Sequence, residues 1–166
     1  MKADPASKVA VDGALAAVDR LFRLAIVVCI GGMVMIVGSQ VFARYVLNSS
    51  FGWADELSRL LFVWSIFLAI PIGIRKGSHI GVELLTARLP SSLRRLLLRV
   101  VMASAAALML VVAYQSAVIT ILQWDELMVS LDISAGLFVL ALVIGCLHAA
   151  LHLVRIAAFG AYEAKP

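Results

Sequence analysis

Four long apolar runs dominate the sequence, and each is close to the length of a membrane-crossing helix. They occupy residues 24–42, 57–74, 96–122 and 133–154. A helix needs about 17–25 mainly apolar residues to cross about 30 Å of hydrocarbon, because each residue adds about 1.5 Å. The runs lack the alternation of apolar and polar residues that is typical of barrel strands, so the sequence predicts four transmembrane α-helices.

The composition excludes other classes of protein. Of the 166 residues, 63% are hydrophobic and 14% are charged. Ordinary soluble domains are about 45–50% apolar and about 25% charged, so a soluble domain of this size could not bury so much apolar surface. A disordered chain and a disulfide scaffold are excluded on the same ground. We therefore expect an all-α integral membrane protein that forms a single domain over residues 1–166.

Positive charge is distributed unevenly among the segments between the predicted spans. The N-terminal segment, the loop between the second and third spans and the C-terminal tail carry most of the Lys and Arg, whereas the other two loops contribute only Arg44. Those two loops instead carry five carboxylates: Asp55, Glu56, Asp125, Glu126 and Asp132. Because Lys and Arg mark cytoplasmic loops, both termini should be cytoplasmic. The net charge of +4 then indicates contact with anionic lipids, not with nucleic acid.

Two segments have the amphipathic pattern of helices that lie on a membrane surface. In residues 79–89, apolar side chains repeat at helical spacing up to Pro90. In residues 8–23, a helical wheel predicts an apolar face and an opposite, charged face. The apolar face contains Val11, Leu15, Val18, Leu21 and Phe22, and the charged face contains Lys8, Asp12, Asp19 and Arg23. We expect an N-terminal amphipathic interfacial helix before the first span.

The centres of the predicted spans lack the polar groups that a transport path requires. Ser65 is the only hydroxyl in the central segments 28–35, 64–68, 108–112 and 140–144, and none of them carries a charge. Substrate and ion sites in transporters are built from polar or ionisable groups near the middle of the bilayer. We therefore predict that this chain forms no substrate path by itself, has no catalytic residue and is not an enzyme, and binds no cofactor or metal.

Two histidines stand out because four-helix membrane proteins can hold haem. His148 and His152 are four residues apart and share one helix face, so they cannot ligate opposite sides of one haem. A partner on another helix is missing, since His79 lies in the predicted central loop. We expect the pair to lie near the cytoplasmic headgroups or to face a neighbouring helix.

The same helix carries a stripe of small residues, Ala141, Gly145 and Ala149, at four-residue spacing. Small residues allow two helices to approach closely in a membrane. The stripe predicts close packing, either among the four helices or against a partner, and the sequence leaves both interpretations open.

A denser pattern runs through residues 44–90. Trp53 suits a membrane interface, and Asp55 and Glu56 open the second helix, where carboxylates complement its positive end. Arg59 is within reach of both carboxylates on one helix face, so an ion pair is feasible. The pattern comprises, in order, Arg44-Tyr45, Trp53, Glu56-Leu57, Arg59, Phe62, Trp64, Arg75, Gly77, His79-Ile80, Val82, Glu83, Leu85 and Leu89-Pro90.

This order of residues resembles the small membrane subunit of the tripartite ATP-independent periplasmic (TRAP) transporters. The close match covers under a third of the chain, and the four-span plan agrees over the rest. The family more often has Asp where this chain has Glu83. The end of the second span contains Pro71 where small residues are more usual, and the fourth span lacks the proline-glycine pattern of many members.

The resemblance implies a role as a scaffold in the bacterial inner membrane. Such subunits pair with a large multi-spanning subunit that binds substrate and sodium, and a periplasmic substrate-binding protein delivers an organic acid such as a dicarboxylate. The acidic residues Asp55, Glu56, Asp125 and Glu126 are expected to form an outer rim that either contacts the binding protein or is simply solvated. The candidate interface or structural residues are Arg44, Trp53, Asp55, Glu56, Arg59, Arg75, His79, Glu83, Ala141, Gly145 and Ala149.

Two alternative functions remain open from the residues alone. One is a haem-binding membrane anchor of an oxidoreductase, which the four-helix plan together with His148 and His152 would suit. The other is a small homo-oligomeric channel or exporter, in which several copies would assemble the pore.

Overall fold

The fold is a bundle of long helices. A computed structural model describes residues 5–49, 51–76 and 90–159. Within these residues the chain forms four helices, namely α1 (Pro5–Val46), α2 (Gly52–Arg75), α3 (Ser91–Leu122) and α4 (Gly136–Phe159). The same residues contain no strand, only a single antiparallel bridge between Leu127 and Ser134. Each helix includes a stretch long and apolar enough to cross a membrane, so the predicted class, an all-α integral membrane protein with four spans, is confirmed.

The helices pack in the spatial order α1, α2, α4, α3. α2 lies against both α1 and α4, and α3 lies against α4. We call the end of the bundle that carries the connections 47–51 and 123–135 the loop end, and the opposite end, where α1 begins and α4 ends, the terminal end. The predicted interfacial segment 79–89 lies outside the described residues. Which end faces the cytoplasm stays a prediction from the charge pattern.

α1 is much longer than a membrane span requires. Its 42 residues form one uninterrupted helix, which at about 1.5 Å per residue is about 63 Å long, roughly twice the thickness of the hydrocarbon. The segment 8–23 and the predicted first span are therefore parts of one helix. That the N-terminal part lies on the membrane surface stays a prediction.

The division of the N-terminal segment into an apolar face and an opposite, charged face was wrong. Asp19 is completely buried, and Leu15 and Phe22 on the same side of α1 are buried with it. Val11, Val18 and Leu21, which the wheel grouped with Leu15 and Phe22, are exposed. The buried stripe follows the spacing i, i+4, i+7 from position 15, which places Asp19 between Leu15 and Phe22. Asp19 can be buried there because polar side chains of α2 and α4 form hydrogen bonds with its carboxylate.

The close approach of α2 and α4 depends on the stripe of small residues. Ala141 and Ala149 have no exposed surface, and Gly145 between them is also buried. A Cβ atom built on Gly145 would lie 2.5 Å from the carbonyl oxygen of Phe67 in α2. The stripe therefore packs inside the bundle, which is one of the two interpretations that the sequence left open.

Large apolar side chains remain exposed on the outside of the bundle, most prominently along the middle of α1. Val27, Val28, Val34 and Met35 each expose more than half of their surface. In water such a face would be a liability, but in a membrane it is solvated by lipid tails or covered by a partner.

Candidate functional site

A cluster of buried titratable side chains lies near the terminal end, around the carboxylate of Asp19. Asp19 Oδ1 is 2.7 Å from His148 Nε2 and 2.9 Å from His152 Nε2. The other oxygen, Oδ2, accepts a hydrogen bond from Nη1 of Arg75 at the end of α2. A charge removed from water is costly unless it is paired and hydrogen-bonded, and these three partners meet that condition. We call Asp19, Arg75, His148 and His152 the Asp19 cluster.

Helical spacing brings the two histidines of the cluster together. His148 and His152 lie one turn apart on the same face of α4, and their Nε2 atoms are 3.2 Å from each other. The two side chains are 4% and 0% exposed. The Phe22 ring of α1 packs against the His148 ring with a centroid separation of 4.5 Å. Both imidazoles are thus held in place by helices other than their own.

A second ion pair joins α1 to α4 two turns nearer the start of α1. Arg155 donates from Nε to Asp12 Oδ1 at 2.7 Å and from Nη2 to Asp12 Oδ2 at 2.8 Å. This is the bidentate arrangement in which guanidinium and carboxylate interact most strongly. Arg155 is buried, whereas the Asp12 side chain keeps a third of its surface exposed. The N-terminal half of α1 is therefore tied to α4 by polar groups at two levels.

Glu56 organises the loop end. One carboxylate oxygen accepts a hydrogen bond from the backbone N–H of Val129 at 3.0 Å, and the other accepts from Ser130 at 2.7 Å. The carboxylate at the start of α2 thus holds the loop that connects α3 to α4. A further hydrogen bond joins the middle of α2 to the first turn of α4, from Trp64 Nε1 to the Leu137 carbonyl oxygen at 3.1 Å.

The neighbours of Glu56 are engaged less tightly. Asp55 accepts a hydrogen bond from Gln40 Nε2 at 3.1 Å, which links the start of α2 to α1. Arg59 is exposed, and among the described residues the feasible ion pair with Asp55 or Glu56 is not formed. Arg44 and Trp53 are also exposed, and Arg44 lines a shallow groove beside Asp55.

The chain matches a protein-family model described as "Tripartite ATP-independent periplasmic transporters, DctQ component" over residues 33–161. The chain belongs to the DctQ family. The family is a component of transport systems, and with its four long apolar helices this DctQ chain is a multi-pass protein of the bacterial inner membrane.

Individual relatives agree with the assignment to the DctQ family. The chain is 35% identical over 57 residues, 34% of its length, to the sialic acid TRAP transporter permease protein SiaT of Haemophilus influenzae. It is 30% identical over 78 residues, 47% of its length, to the C4-dicarboxylate TRAP transporter small permease protein DctQ of Vibrio cholerae. It is 33% identical over 55 residues, 33% of its length, to the sialic acid small permease SiaQ of the same organism. The chain spans 9%, 34% and 32% of these three relatives, respectively.

The structure of this DctQ chain distributes the predicted site residues over both ends of the bundle. Arg75 belongs to the Asp19 cluster. Arg44, Trp53, Asp55, Glu56 and Arg59 lie at the loop end, and Ala141, Gly145 and Ala149 lie inside the bundle. His79 and Glu83 lie outside the described residues.

Reasoning from the sequence missed the Asp19 cluster as a unit. The sequence pattern places Asp19 on a charged face opposite the apolar one and identifies no partner for either histidine. The histidines face a neighbouring helix, as one of the two expectations had it, and that helix is α1. A usable signal existed, because Asp12, Asp19 and Phe22 have heptad-like spacing, which would have placed both carboxylates on one packing face.

Proposed function

We propose that this chain is the non-catalytic small membrane subunit that braces the large ion-coupled subunit of a TRAP transporter and helps to dock a periplasmic substrate-binding protein. The observation that carries the proposal is the uninterrupted apolar character of the span centres, where Ser65 is the only hydroxyl. In the structure Ser65 is buried and its hydroxyl donates to the Phe62 carbonyl oxygen of its own helix at 2.7 Å. That hydroxyl is therefore engaged locally, as a scaffold allows and a transport path does not.

The names of the relatives support the proposed substrate class. They refer to sialic acid and to C4-dicarboxylates, and two of them describe a small permease. Because the named substrates differ, the class proposed for this transporter is an organic acid. The exposed apolar face along the middle of α1 supports contact with a large membrane subunit.

The carboxylates of the acidic rim differ in their contacts, and we propose different roles for them. Glu56 uses both carboxylate oxygens to hold the α3–α4 loop, so its role is structural. Asp125, Glu126 and Asp132 are exposed in the same loop. We propose that these three carboxylates face the periplasm and contact the binding protein, in a loop that Glu56 keeps in place.

Two experiments test the function. Affinity purification of the tagged chain from its native membrane should recover a large transporter subunit, and its absence would count strongly against the proposal. Charge reversal at Asp125 and Glu126 should then reduce uptake without changing the recovery of the large subunit. Charge reversal at Arg94, an exposed residue at the start of α3 and at the terminal end, is the control. Unchanged uptake by a normally assembled complex would remove the docking role alone.

The haem-anchor alternative is not favoured by the geometry of the histidines. His148 and His152 direct their Nε2 atoms at the same carboxylate oxygen and lie within 3.2 Å of each other. Bis-histidine ligation instead needs two imidazoles on opposite faces of a porphyrin. An absorbance spectrum of the purified protein that shows a Soret band would reinstate the alternative.

A further inference from the structure

We propose that Asp19, His148 and His152 form a binding site for a divalent transition-metal ion of the Zn²⁺ type. Asp19 Oδ1 and the two Nε2 atoms form a triangle with edges of 2.7, 2.9 and 3.2 Å. All three side chains are at least nine-tenths buried and come from two helices that are far apart in sequence. The proposal concerns this chain alone and does not depend on the transporter's substrate.

Hydrogen bonds can form along at most two edges of this triangle. An ionised carboxylate only accepts, and the Nε2 atom of a neutral imidazole either donates or accepts. If both Nε2 atoms donate to Asp19 Oδ1, two donors face each other at 3.2 Å. If one of them accepts instead, its lone pair lies against the carboxylate oxygen at 2.9 Å or less. In either arrangement one edge of the triangle lacks a hydrogen bond, whereas the lone pairs of all three atoms can face one cation.

The three atoms are close enough together to share one metal ion. Zn²⁺ binds imidazole nitrogen and carboxylate oxygen at about 2.0–2.2 Å, which in a tetrahedral site places neighbouring ligand atoms about 3.3–3.6 Å apart. The edges of 2.7, 2.9 and 3.2 Å are shorter, so on binding the side chains would move apart by less than about 1 Å. Two histidines one helical turn apart are a recurrent way to present two metal ligands on one face, and a carboxylate from elsewhere in the fold completes the set. Two imidazoles and one carboxylate suit Zn²⁺ and Fe²⁺ better than Ca²⁺ or Mg²⁺, which prefer oxygen ligands.

The surroundings have the features that support a metal site. Arg75 donates to Asp19 Oδ2, so the carboxylate is turned with Oδ1 towards the histidines. Phe22 covers one side of His148 and limits the access of water. A bound ion would link α1 directly to α4, in addition to the Asp12–Arg155 pair and the Phe22–His148 ring contact. We infer that the metal acts as a structural clasp for the N-terminal half of α1.

The test uses the full chain, purified in detergent with a tag that contains no histidine and stripped of metal with a chelator. Titration with Zn²⁺ should show one site per chain and should raise the unfolding temperature. Titration with Co²⁺ should produce the visible absorption of a cobalt ion bound to nitrogen and oxygen ligands in place of the spectrum of the hydrated ion. Replacement of either histidine by Gln should weaken Zn²⁺ binding by about 100-fold or more, since even the loss of an outer-shell partner costs about 10–100-fold.

Two control variants make the result specific. Asp12→Asn breaks the neighbouring ion pair but removes no proposed ligand, and His79→Gln removes the third histidine of the chain. Both should bind Zn²⁺ as the unmodified chain does. If His148→Gln or Asp19→Asn does not fold, the Co²⁺ spectrum of the unmodified chain decides the question. A Co²⁺ spectrum identical to that of the hydrated ion, equal affinity in His152→Gln, or loss of binding in His79→Gln would each overturn the proposal.

Discussion

Replacing Gly145 by Ala tests whether the contact between α2 and α4 is as close as the structure shows. The new Cβ atom would lie 2.5 Å from the Phe67 carbonyl oxygen, whereas ordinary contacts begin at 3.4 Å. The two helices would have to separate by about 0.9 Å, and overpacking of this kind costs about 1–3 kcal/mol. Alanine recovers about 1 kcal/mol through its higher helix propensity. We therefore expect Gly145→Ala to lose up to about 2 kcal/mol of stability, and about 1–3 kcal/mol relative to a Gly→Ala variant without a steric contact.

The loss is measured as a lower unfolding temperature of the purified chain in detergent, by up to about 8 °C if about 2–4 °C corresponds to 1 kcal/mol for a chain of this size. Gly31→Ala in α1 is the matched control, because nothing lies within 4 Å of the position that its new Cβ atom would take. That variant gains helix propensity without a steric cost and should unfold at or above the temperature of the unmodified chain. If Gly145→Ala is as stable as Gly31→Ala, the close approach of α2 and α4 is refuted.

Three further substitutions probe the polar contacts. Glu56→Ala should destabilise the chain by about 1–3 kcal/mol, because it removes the acceptor of two backbone N–H groups, and hydrogen exchange at Val129 and Ser130 should become faster. Trp64→Phe should cost about 1 kcal/mol by removing one hydrogen bond while keeping the ring; denaturant titration measures the loss. Arg155→Lys keeps the charge but not the bidentate pairing, so the unfolding temperature should be lower. Unchanged stability would contradict the corresponding contact.

The helices were predictable from the sequence because hydrophobicity over about 20 residues is a local property that the membrane itself selects. The start of α4 is a small exception. The apolar run was predicted from residue 133, whereas the helix begins at Gly136, because residues up to 135 pair with the preceding loop through the bond from the Ala135 N–H to the Glu126 carbonyl oxygen. Such a bond depends on the path of the loop, which no local pattern specifies.

The Asp19 cluster could not be predicted in the same way, because its members are distant in sequence. Asp19 lies more than 120 residues from His148, and each residue had an ordinary explanation by itself: a charge on an amphipathic helix and a histidine near the headgroups. Only the packing of α1 beside α4 shows that these explanations are incomplete. A buried carboxylate is tolerated only where several hydrogen-bond donors surround it, and here those donors come from distant parts of the chain that only the tertiary structure brings together.

The contacts between the two halves of the chain can form only after α4 has been synthesised. α1 and α2 emerge from the ribosome as one hairpin and α3 and α4 as a second one. At that stage Arg75 is available to Asp19, but the histidines and the loop that Glu56 holds have not yet been made. The two hairpins are then joined near the terminal end by Asp19 and at the loop end by Glu56. A chain that stops before α4 therefore leaves Oδ1 of Asp19 without its two histidine partners, which is costly for a carboxylate removed from water.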